Sequence, residues 1–329
     1  MTILVTGCAG FIASNVCGQL LDGGESVVGV DNFNDAYDVR LKHWRMAPLT
    51  AHANFRFYQR DISDLVGIRS VFVDQKKRQD PPFTSVINLG GRAGIRYSVH
   101  DPWVYLQANT LGTLNLLELC KDFGVKKFVL ASTSSVYGDD TPQPFKEDSN
   151  TSRPLSPYAA SKKAAEGLVY TYHHLYGLDA TVLRYFTVYG PAGRPDMGVF
   201  IFSQAIAEGK TITVFGDGQQ QRDFTFVDDI ARGTIAATRP LGYETINLGN
   251  DRPVKVAEII SMLEDCIEKK AVIEYGPENP TDVQSTWASI ERAEGLLGWR
   301  PQVAIEEGLR RSVDWYMENR DWAKDIKAG

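Results

Sequence analysis

Short apolar runs alternate with helical spacing along the first half of the chain. The strand-like runs span residues 3–5, 27–30, 55–58, 86–89, 128–130 and 180–183. Between them, apolar residues recur at the spacing of an amphipathic helix, most clearly over 101–123 and 157–176. Strands that alternate with helices are typical of a parallel sheet covered on both faces. The pattern therefore predicts an α/β fold with a doubly wound parallel sheet of the Rossmann type.

The pattern changes after about residue 187. The stretch 189–226 is rich in glycine, proline and polar residues, and short helical segments alternate with short strands beyond it. We therefore expect a Rossmann domain over residues 1–187 and a smaller α/β substrate-binding lobe over 188–329. The stretch 226–247 is expected to return and pack on the first domain.

Composition and charge narrow the functional classes. The chain of 329 residues has 35 Lys+Arg, 41 Asp+Glu and a formal net charge of −6, without the basic block of a nucleic-acid binder. Its four cysteines are scattered without metal-ligand spacing, which predicts a reduced interior and no metal site. No apolar stretch approaches the roughly 18 residues of a membrane span. Because the sequence begins directly with a strand, we expect a cytoplasmic protein without membrane or nucleic-acid partners.

A glycine-rich turn follows the first predicted strand. Gly7, Gly10 and Ala13 form the pattern G-x-x-G-x-x-A and lead into a helix, so backbone N–H groups can bind a pyrophosphate there. Asp31 ends the second strand, 24 residues after Gly7. Its carboxylate can accept both hydroxyls of an adenosine ribose and repels a 2′-phosphate, which favours NAD over NADP. The alternative is a plain β-turn-α connection with a coincidental Asp.

A second group of polar residues indicates proton-transfer chemistry. Tyr158 and Lys162 are spaced i, i+4 on a predicted helix, so their side chains share one face. An ammonium group near a phenol lowers its pKa, and the phenolate can then take a proton from an alcohol. Thr133, Ser134 and Ser135 follow the fifth strand, at the sheet edge where ligands bind. A solvated helix face and a turn that satisfies its own backbone are the alternative explanations.

Six motifs occur in an order that resembles one known family. They are TGCAGFIAS, Asp31-Asn32, NLGGRAG, STSSVYG, SPYAASK and RYFTVYGP. Together they resemble the extended short-chain dehydrogenase/reductase family of nucleotide-sugar enzymes, over essentially the whole chain. The resemblance implies a first domain that binds NAD, a second lobe that holds the nucleotide of a nucleoside-diphosphate sugar, and a homodimer built on the helices over 101–123 and 157–176. The apolar residues that fit such a helix contact are Leu111, Leu114, Leu116 and Leu117.

The resemblance also implies the roles of individual residues. Tyr158 is the base and acid at the sugar 4-hydroxyl, Lys162 lowers its pKa and holds the nicotinamide ribose, and Thr133 hydrogen-bonds the same hydroxyl. The implied NAD site consists of Gly7, Gly10, Phe11, Ile12, Asp31, Asn32, Asp61, Ile62, Leu89, Gly90, Gly91, Arg92, Asn109, Tyr158 and Lys162. The implied substrate site consists of Thr133, Ser134, Ser135, Thr187, Arg194, Arg222 and Asp282.

Three positions restrict the reaction within this family. Ser134 and Ser135 stand where sugar 4,6-dehydratases carry an Asp-Glu pair, and decarboxylases of uridine-diphosphate (UDP) glucuronate usually carry a Glu at the second position. The remaining chemistry is epimerisation at C4, by oxidation, rotation of the keto-sugar and reduction. Thr187 replaces the Asn of epimerases that act on neutral UDP-hexoses, and the flanking residues 193–197 resemble those of UDP-glucuronate 4-epimerases.

The resemblance therefore implies interconversion of UDP-glucuronate and UDP-galacturonate. Small hydroxyls at Ser134, Ser135 and Thr187 leave room for the sugar carboxylate and can donate hydrogen bonds to it. One alternative is a 4-epimerase of a neutral UDP-hexose, either UDP-glucose or UDP-N-acetylglucosamine. Another is a catalytically silent, NAD-bound sensor, which the intact proton-transfer residues argue against.

Overall fold

Strands and helices alternate through most of the chain. The computed structural model describes residues 1–277 and 283–327. Its strands are β1 (Thr2–Thr6), β2 (Ser26–Asp31), β3 (Phe55–Gln59), β4 (Ser85–Asn88), β5 (Lys127–Thr133), β6 (Asp179–Tyr185), β7 (Thr187–Tyr189), β8 (Thr211–Phe215), β9 (Gln221–Phe226), β10 (Tyr243–Leu248), β11 (Pro253–Lys255) and β12 (Val272–Gly276). Its α-helices are α1 (Phe11–Asp22), α2 (Val39–Thr50), α3 (Leu65–Lys77), α4 (Ile95–His100), α5 (Pro102–Tyr105), α6 (Gly112–Phe123), α7 (Pro157–Tyr176), α8 (Gly198–Glu208), α9 (Val227–Ala236), α10 (Val256–Ile267), α11 (Glu291–Leu297), α12 (Ile305–Glu318) and α13 (Arg320–Ala323).

A parallel sheet forms the centre of the first lobe. Within the described residues it has seven strands in the order β10-β6-β5-β4-β1-β2-β3, and each neighbouring pair is parallel. The predicted doubly wound α/β fold is therefore confirmed. The order of the strands reverses between β1 and β4, and ligands of such sheets bind in the crevice at that point. The loops that follow β1, β4 and β5 meet at this crevice.

Both faces of the sheet are buried under helices. In β1, Ile3 and Val5 enter a core that α1 and α9 complete, while Leu4 enters a second core with α3 and α6. Alternate side chains of a strand lie on opposite faces. An uninterrupted apolar run is therefore needed for a strand that has a core on each side.

The helix predicted over 101–123 is divided in the structure. α5 is followed by a π-helical turn at Leu106–Leu111 and then by α6. A π-turn adds one residue to a helical turn, and apolar spacing does not reveal it. Leu116 and Leu117 of α6 are buried within the protomer, whereas Leu111 is 43% exposed. Only part of the predicted apolar surface is thus free for a second copy of the chain.

The part of the second lobe that the structure describes contains two smaller sheets. β7, β9 and β11 form one sheet in the order β11-β9-β7, and β8 pairs with β12. Helices α8, α10 and α12 pack against one another beside these sheets. The late strand β10 instead pairs with β6 of the large sheet, and α9 packs on α1. The chain therefore returns to the first lobe after it has entered the second.

Three further observations concern membranes, metals and thiols. No helix in the described part of the chain is long and apolar enough to cross a bilayer. Over those same ranges, no group of three His, Cys, Asp or Glu side chains is arranged to hold a metal ion. Cys8, Cys17 and Cys120 are buried free thiols, and Cys266 is a partly buried one.

Candidate active site

The turn between β1 and α1 requires glycine at two positions. Gly7 has φ +71°, and a Cβ atom there would lie 2.8 Å from the Cα atom of Gly90. A Cβ atom at Gly10 would lie 2.8 Å from the carbonyl oxygen of Gly7. Gly10 precedes α1 without a side-chain cap, so the first N–H groups of the helix, at Phe11 and Ile12, can be offered to an anion. This backbone fits the pyrophosphate of a dinucleotide.

Asp31 ends β2 beside this turn and is buried. Its carboxylate accepts the N–H of Ala9 at 3.2 Å and that of Phe33 at 2.8 Å. The Nζ atom of Lys42 lies 3.6 Å from the same carboxylate. The sequence pattern contains no sign of this pair, because Lys42 belongs to a separate element, α2. The carboxylate predicted to bind the ribose therefore has a buried cation beside it.

Asn32, Asp61 and Ile62 lie together at the ends of β2 and β3. The Nδ2 atom of Asn32 donates to the carboxylate of Asp61 at 2.8 Å. Burial raises the pKa of Asp61, but hydrogen bonds from Ser63 and Asn32 outweigh burial and hold this pKa below its usual range. Ile62 is buried. These side chains extend the crevice away from the glycine turn, on the side where the adenosine of a dinucleotide would lie.

Asn109 fixes the loop that follows β4, residues 89–92. Its Oδ1 atom accepts the N–H of Arg92 at 2.9 Å, and its Nδ2 atom donates to the Arg92 carbonyl at 3.0 Å. A Cβ atom on Gly91 would collide with Oδ1 of Asn109. The same Nδ2 atom donates to the hydroxyl of Ser161, on α7, at 2.9 Å. The π-helical turn thus joins the 89–92 loop to the helix that carries Tyr158.

Helix α7 begins where Ser156 caps it, with Oγ accepting the N–H of Ala159 at 3.1 Å. This start places Tyr158 and Lys162, four residues apart, on the side that packs against β5. Both side chains are buried. The Nζ atom of Lys162 donates to the carbonyl of Ala131 at 3.0 Å. The spacing in the sequence thus brings both groups to the end of β5.

The electrostatics of this pair differ from the expectation based on spacing. Burial raises the pKa of the Tyr158 phenol, and a hydrogen bond with Thr133 and the charge of Arg194 oppose that rise. Burial lowers the pKa of Lys162 to about 8. The charge that favours the phenolate thus comes from Arg194, whereas the i, i+4 spacing predicted that Lys162 would provide it. The ammonium of Lys162 is instead directed at a backbone carbonyl.

The predicted hydroxyl groups lie on three elements. Thr133 ends β5, and its Oγ1 atom accepts the N–H of Ser135 and donates to the Ser135 hydroxyl, both at 3.1 Å. Ser134 and Ser135 begin a 3-10 turn and are partly exposed. Thr187, also partly exposed, begins β7 and is in register with Phe224 of β9. Serine and threonine hydroxyls at partly exposed positions can donate to a ligand.

Arg194 lies at the boundary between the two lobes. Its Nε atom donates to Asp196 at 3.0 Å, and its Nη2 atom donates to the carbonyl of Ala93 at 3.4 Å. Its charge also acts on Tyr158. A cation from the second lobe therefore lies close to Tyr158, the residue predicted to transfer the proton.

Arg222 and Asp282 were also predicted to bind the substrate. Arg222 lies on β9, in register with Val254 of β11, and its Nη1 atom donates to the carbonyl of Gln221 at 2.8 Å. Asp282 lies outside the described residues. Both assignments stay predictions from the family resemblance.

Glu166 is a neighbour of the site that the motifs did not select. Its carboxylate accepts the hydroxyl of Ser132, the residue before Thr133, at 2.6 Å. It is buried on α7. The sequence could have indicated this residue by its spacing. Glu166 follows Lys162 by four residues and Tyr158 by eight, which places all three on one helix face.

Known proteins match this chain over nearly its whole length. A family model described as GDP-mannose 4,6 dehydratase matches residues 4–312. A UDP-glucuronate 4-epimerase from Thermodesulfobacterium geofontis is 56% identical over 325 residues, which is 98% of each chain.

Two solved structures extend the comparison. The UDP-glucuronic acid 4-epimerase from Bacillus cereus, in complex with UDP-glucuronic acid and NAD, has a TM-score of 0.89 and 37% identity, with 97% of this chain and 100% of that chain covered. The UDP-glucose 4-epimerase from Thermotoga maritima, with UDP-glucose, has a TM-score of 0.89 and 32% identity over the same shares. The chain thus belongs to the extended short-chain dehydrogenase/reductase family, among its NAD-dependent nucleotide-sugar epimerases.

Proposed function

We propose that this protein interconverts UDP-glucuronate and UDP-galacturonate by epimerisation at C4. The observation that carries the proposal is the contact of Tyr158 with Thr133, followed in the chain by Ser134 and Ser135. A phenol and a threonine hydroxyl suit proton transfer at one sugar hydroxyl. Two serines suit binding of a carboxylate, and they cannot perform the acid–base steps that loss of water requires.

The residues of the first lobe fit NAD. Gly7, Gly10 and Gly90 form a cradle that a Cβ atom would fill, the N-terminus of α1 is open, and Asp31 ends β2 where an adenosine ribose would lie. Bound NAD supplies the hydride acceptor for C4 and the donor for the return step. Lys162, buried beside β5, would hold the nicotinamide ribose by its ammonium group.

Tyr158 removes the proton of the 4-hydroxyl and returns it to the same oxygen once the keto-sugar has rotated and C4 has been reduced on its opposite face. Thr133, whose interaction with the phenol opposes the rise in the pKa of Tyr158, can share the substrate hydroxyl with it. Because burial favours the neutral phenol, the phenolate needs a neighbouring cation. Arg194 supplies such a charge, and it belongs to the lobe that would hold the diphosphate.

The carboxylate of the substrate creates a second requirement. A 4-keto-hexuronate is a β-keto acid and loses carbon dioxide when its carboxylate bond aligns with the carbonyl π-system. We assign Ser134, Ser135 and Thr187 to hold the carboxylate out of that alignment, since each hydrogen bond to a charged group contributes about 1.5–3 kcal/mol. Arg222 and Asp282 are assigned to the nucleotide by resemblance.

The proposed assembly is a homodimer in the cytoplasm. Three apolar side chains are exposed beside α7: Trp103 by 71%, Leu106 by 43% and Leu111 by 43%. They lie on consecutive helical segments. An apolar surface of this kind supports contact with a second copy of the chain. The buried free thiols fit a reducing compartment.

Incubation with single substrates tests the proposed reaction. The protein is supplied separately with UDP-glucuronate, UDP-glucose and UDP-N-acetylglucosamine, and the products are identified by NMR. We expect UDP-galacturonate from the first and little conversion of the others. Turnover of neutral sugars alone would instead support a UDP-hexose 4-epimerase, a possibility favoured by the equal TM-score of the Thermotoga maritima enzyme. Absence of all turnover would favour the silent NAD-bound sensor.

A further inference from the structure

Arg45 joins three segments that are far apart in the chain. It lies on α2 and is 4% exposed. Its Nε and Nη2 atoms both donate to the carbonyl of Ala192, at 3.0 and 2.6 Å, and Nη2 also donates to the carbonyl of Gly193 at 3.2 Å. Its Nη1 atom donates to the carbonyl of Ala9 at 3.3 Å and to the hydroxyl of Tyr37 at 2.7 Å. One guanidinium thus holds the glycine turn, the loop after β2 and a loop of the second lobe.

The second-lobe loop needs this support. Ala192 has φ +50°, a left-handed conformation that residues with a Cβ atom seldom adopt. The two hydrogen bonds from Arg45 hold the carbonyl of this same residue. Arg194 follows two positions later and reaches Ala93 and the neighbourhood of Tyr158. The position of Arg194 therefore depends on backbone that Arg45 fixes.

The first-lobe end of the contact lies in the pyrophosphate-binding turn. Ala9 lies between Gly7 and Gly10, and its N–H is already bound by Asp31. The guanidinium also lies 5.8 Å from the ring centre of Phe11, the first residue of α1. Within the described residues, the groups that hydrogen-bond to Arg45 are neutral carbonyls and one phenol. A buried positive charge beside this helix N-terminus favours an anion there.

We propose that Arg45 is a positioning residue that couples NAD binding to substrate binding. An NAD pyrophosphate bound at the glycine turn would restrict the position of the Ala9 carbonyl. Because the same planar guanidinium donates to Ala9, Ala192 and Gly193, the backbone of Ala192 and Gly193 would be restricted as well. The loop that presents Arg194 is then set for the UDP portion of the substrate. Thermodynamic reciprocity requires UDP to strengthen the binding of NAD by the same factor. The inference rests on the proposed function for the assignment of Arg194 to the substrate.

Three variants of the NAD-loaded protein test this coupling. Arg45→Met removes the fork and its charge, and Arg45→Lys keeps the charge but loses the fork. Arg40→Met is the matched control, because Arg40 lies on the same helix, is exposed and pairs with Asp38. Two quantities are measured for each variant: the affinity for UDP by calorimetry, and the rate of NAD release with and without saturating UDP.

We expect UDP to slow NAD release from the wild-type protein, by about fivefold or more. In Arg45→Met this ratio should fall towards one and the affinity for UDP should fall about tenfold, with Arg45→Lys intermediate and Arg40→Met unchanged. A merely structural role would speed NAD release equally with and without UDP and leave the ratio intact. That result, or a wild-type ratio of one, would overturn the coupling. A wild-type protein that binds UDP but does not convert UDP-glucuronate would contradict the proposed function alone.

Discussion

The carboxylate of Glu166 accepts hydrogen bonds from the Nε and Nη2 atoms of Arg184, at 3.0 and 2.9 Å. Both side chains are buried. The same carboxylate holds Ser132, while Lys162 holds the carbonyl of Ala131. Helix α7 is thereby attached to two successive residues at the end of β5, directly before Thr133. The placement of Tyr158 and Lys162, the pair proposed to carry out proton transfer, is thus supported by a buried ion pair on the same helix.

Replacing one member of this pair should destabilise the protein strongly. Glu166→Leu leaves the guanidinium of Arg184 buried without its carboxylate, and such a loss costs about 3–5 kcal/mol. The double variant Glu166→Leu/Arg184→Met should recover much of that loss, because neither member of the pair then leaves its partner's charge buried and unpaired. The free energies of unfolding in urea measure both effects. A double variant as unstable as the single one would show that the charge is not the cause.

The stabilisation that the ion pair of Glu166 and Arg184 provides should decrease in acid. Burial raises the pKa of Glu166, but the hydrogen bond and charge of Arg184 outweigh burial and lower this pKa below its usual range. A lowered folded-state pKa means that the stabilisation is present above the unfolded pKa of about 4.3. It is lost as the pH falls through the lower folded value. The difference in stability between wild type and the double variant should shrink over that range.

Tyr158→Phe should abolish turnover and leave NAD bound. The ring keeps its packing, but the group that takes the proton of the 4-hydroxyl is missing, which costs about 10²-fold or more in kcat. Tyr105→Phe is the matched control, since the ring centre of this buried tyrosine lies 6.0 Å from that of Tyr158. Activity is measured by NMR and bound NAD by absorbance after denaturation. Retention of more than a few per cent of activity would identify another base.

Loss of two hydroxyls should release the sugar carboxylate. Ser135→Ala/Thr187→Ala should lower epimerisation about 100-fold, since two hydrogen bonds to a charge contribute about 3 kcal/mol or more together. The share of UDP-4-keto-pentose should rise, because the carboxylate can then align with the keto group. Thr171→Ala, on the exposed side of α7, is the control. Unchanged activity without decarboxylated product would contradict both the carboxylate site and the substrate.

Asp31→Ala should weaken NAD binding and reduce discrimination against NADP. The substitution removes the acceptor for the ribose hydroxyls and leaves the ammonium of Lys42, which lies 3.6 Å from that carboxylate, to attract a 2′-phosphate. Asp35→Ala, at an exposed position of the loop that follows β2, should change neither affinity. Dissociation constants for both dinucleotides provide the measurement. An unchanged preference for NAD would show that the ribose is recognised elsewhere.

Charges on the exposed helical surface should separate the proposed dimer. Trp103→Lys/Leu106→Lys places two cations where we expect a second copy of the chain, so light scattering should report a monomer. Tyr275→Lys, at a position on β12 that is 66% exposed, should keep the wild-type mass. A wild-type protein that is monomeric at micromolar concentration would remove the dimer.

The sequence predicted the large sheet well because its strands are buried on both faces. Continuous apolar runs, glycines in a tight turn and an i, i+4 pair are local patterns, and each of these is visible in a few residues. The contacts of Arg45 and Lys42 are not local, since they join α2 to residues as distant as Ala192. The π-turn at Leu106–Leu111 was missed for another reason, because one extra residue scarcely changes the apolar spacing.

The position of β10 has a consequence for how this chain can be divided. This strand pairs with β6, and α9 just before it packs on α1. A fragment that ends near residue 187 would expose the backbone edge of β6 and leave one flank of α1 uncovered, and unpaired edges promote aggregation. The unit that could be exchanged between relatives is therefore discontinuous in sequence. A working chimera would have to keep β10 and α9 with the large sheet.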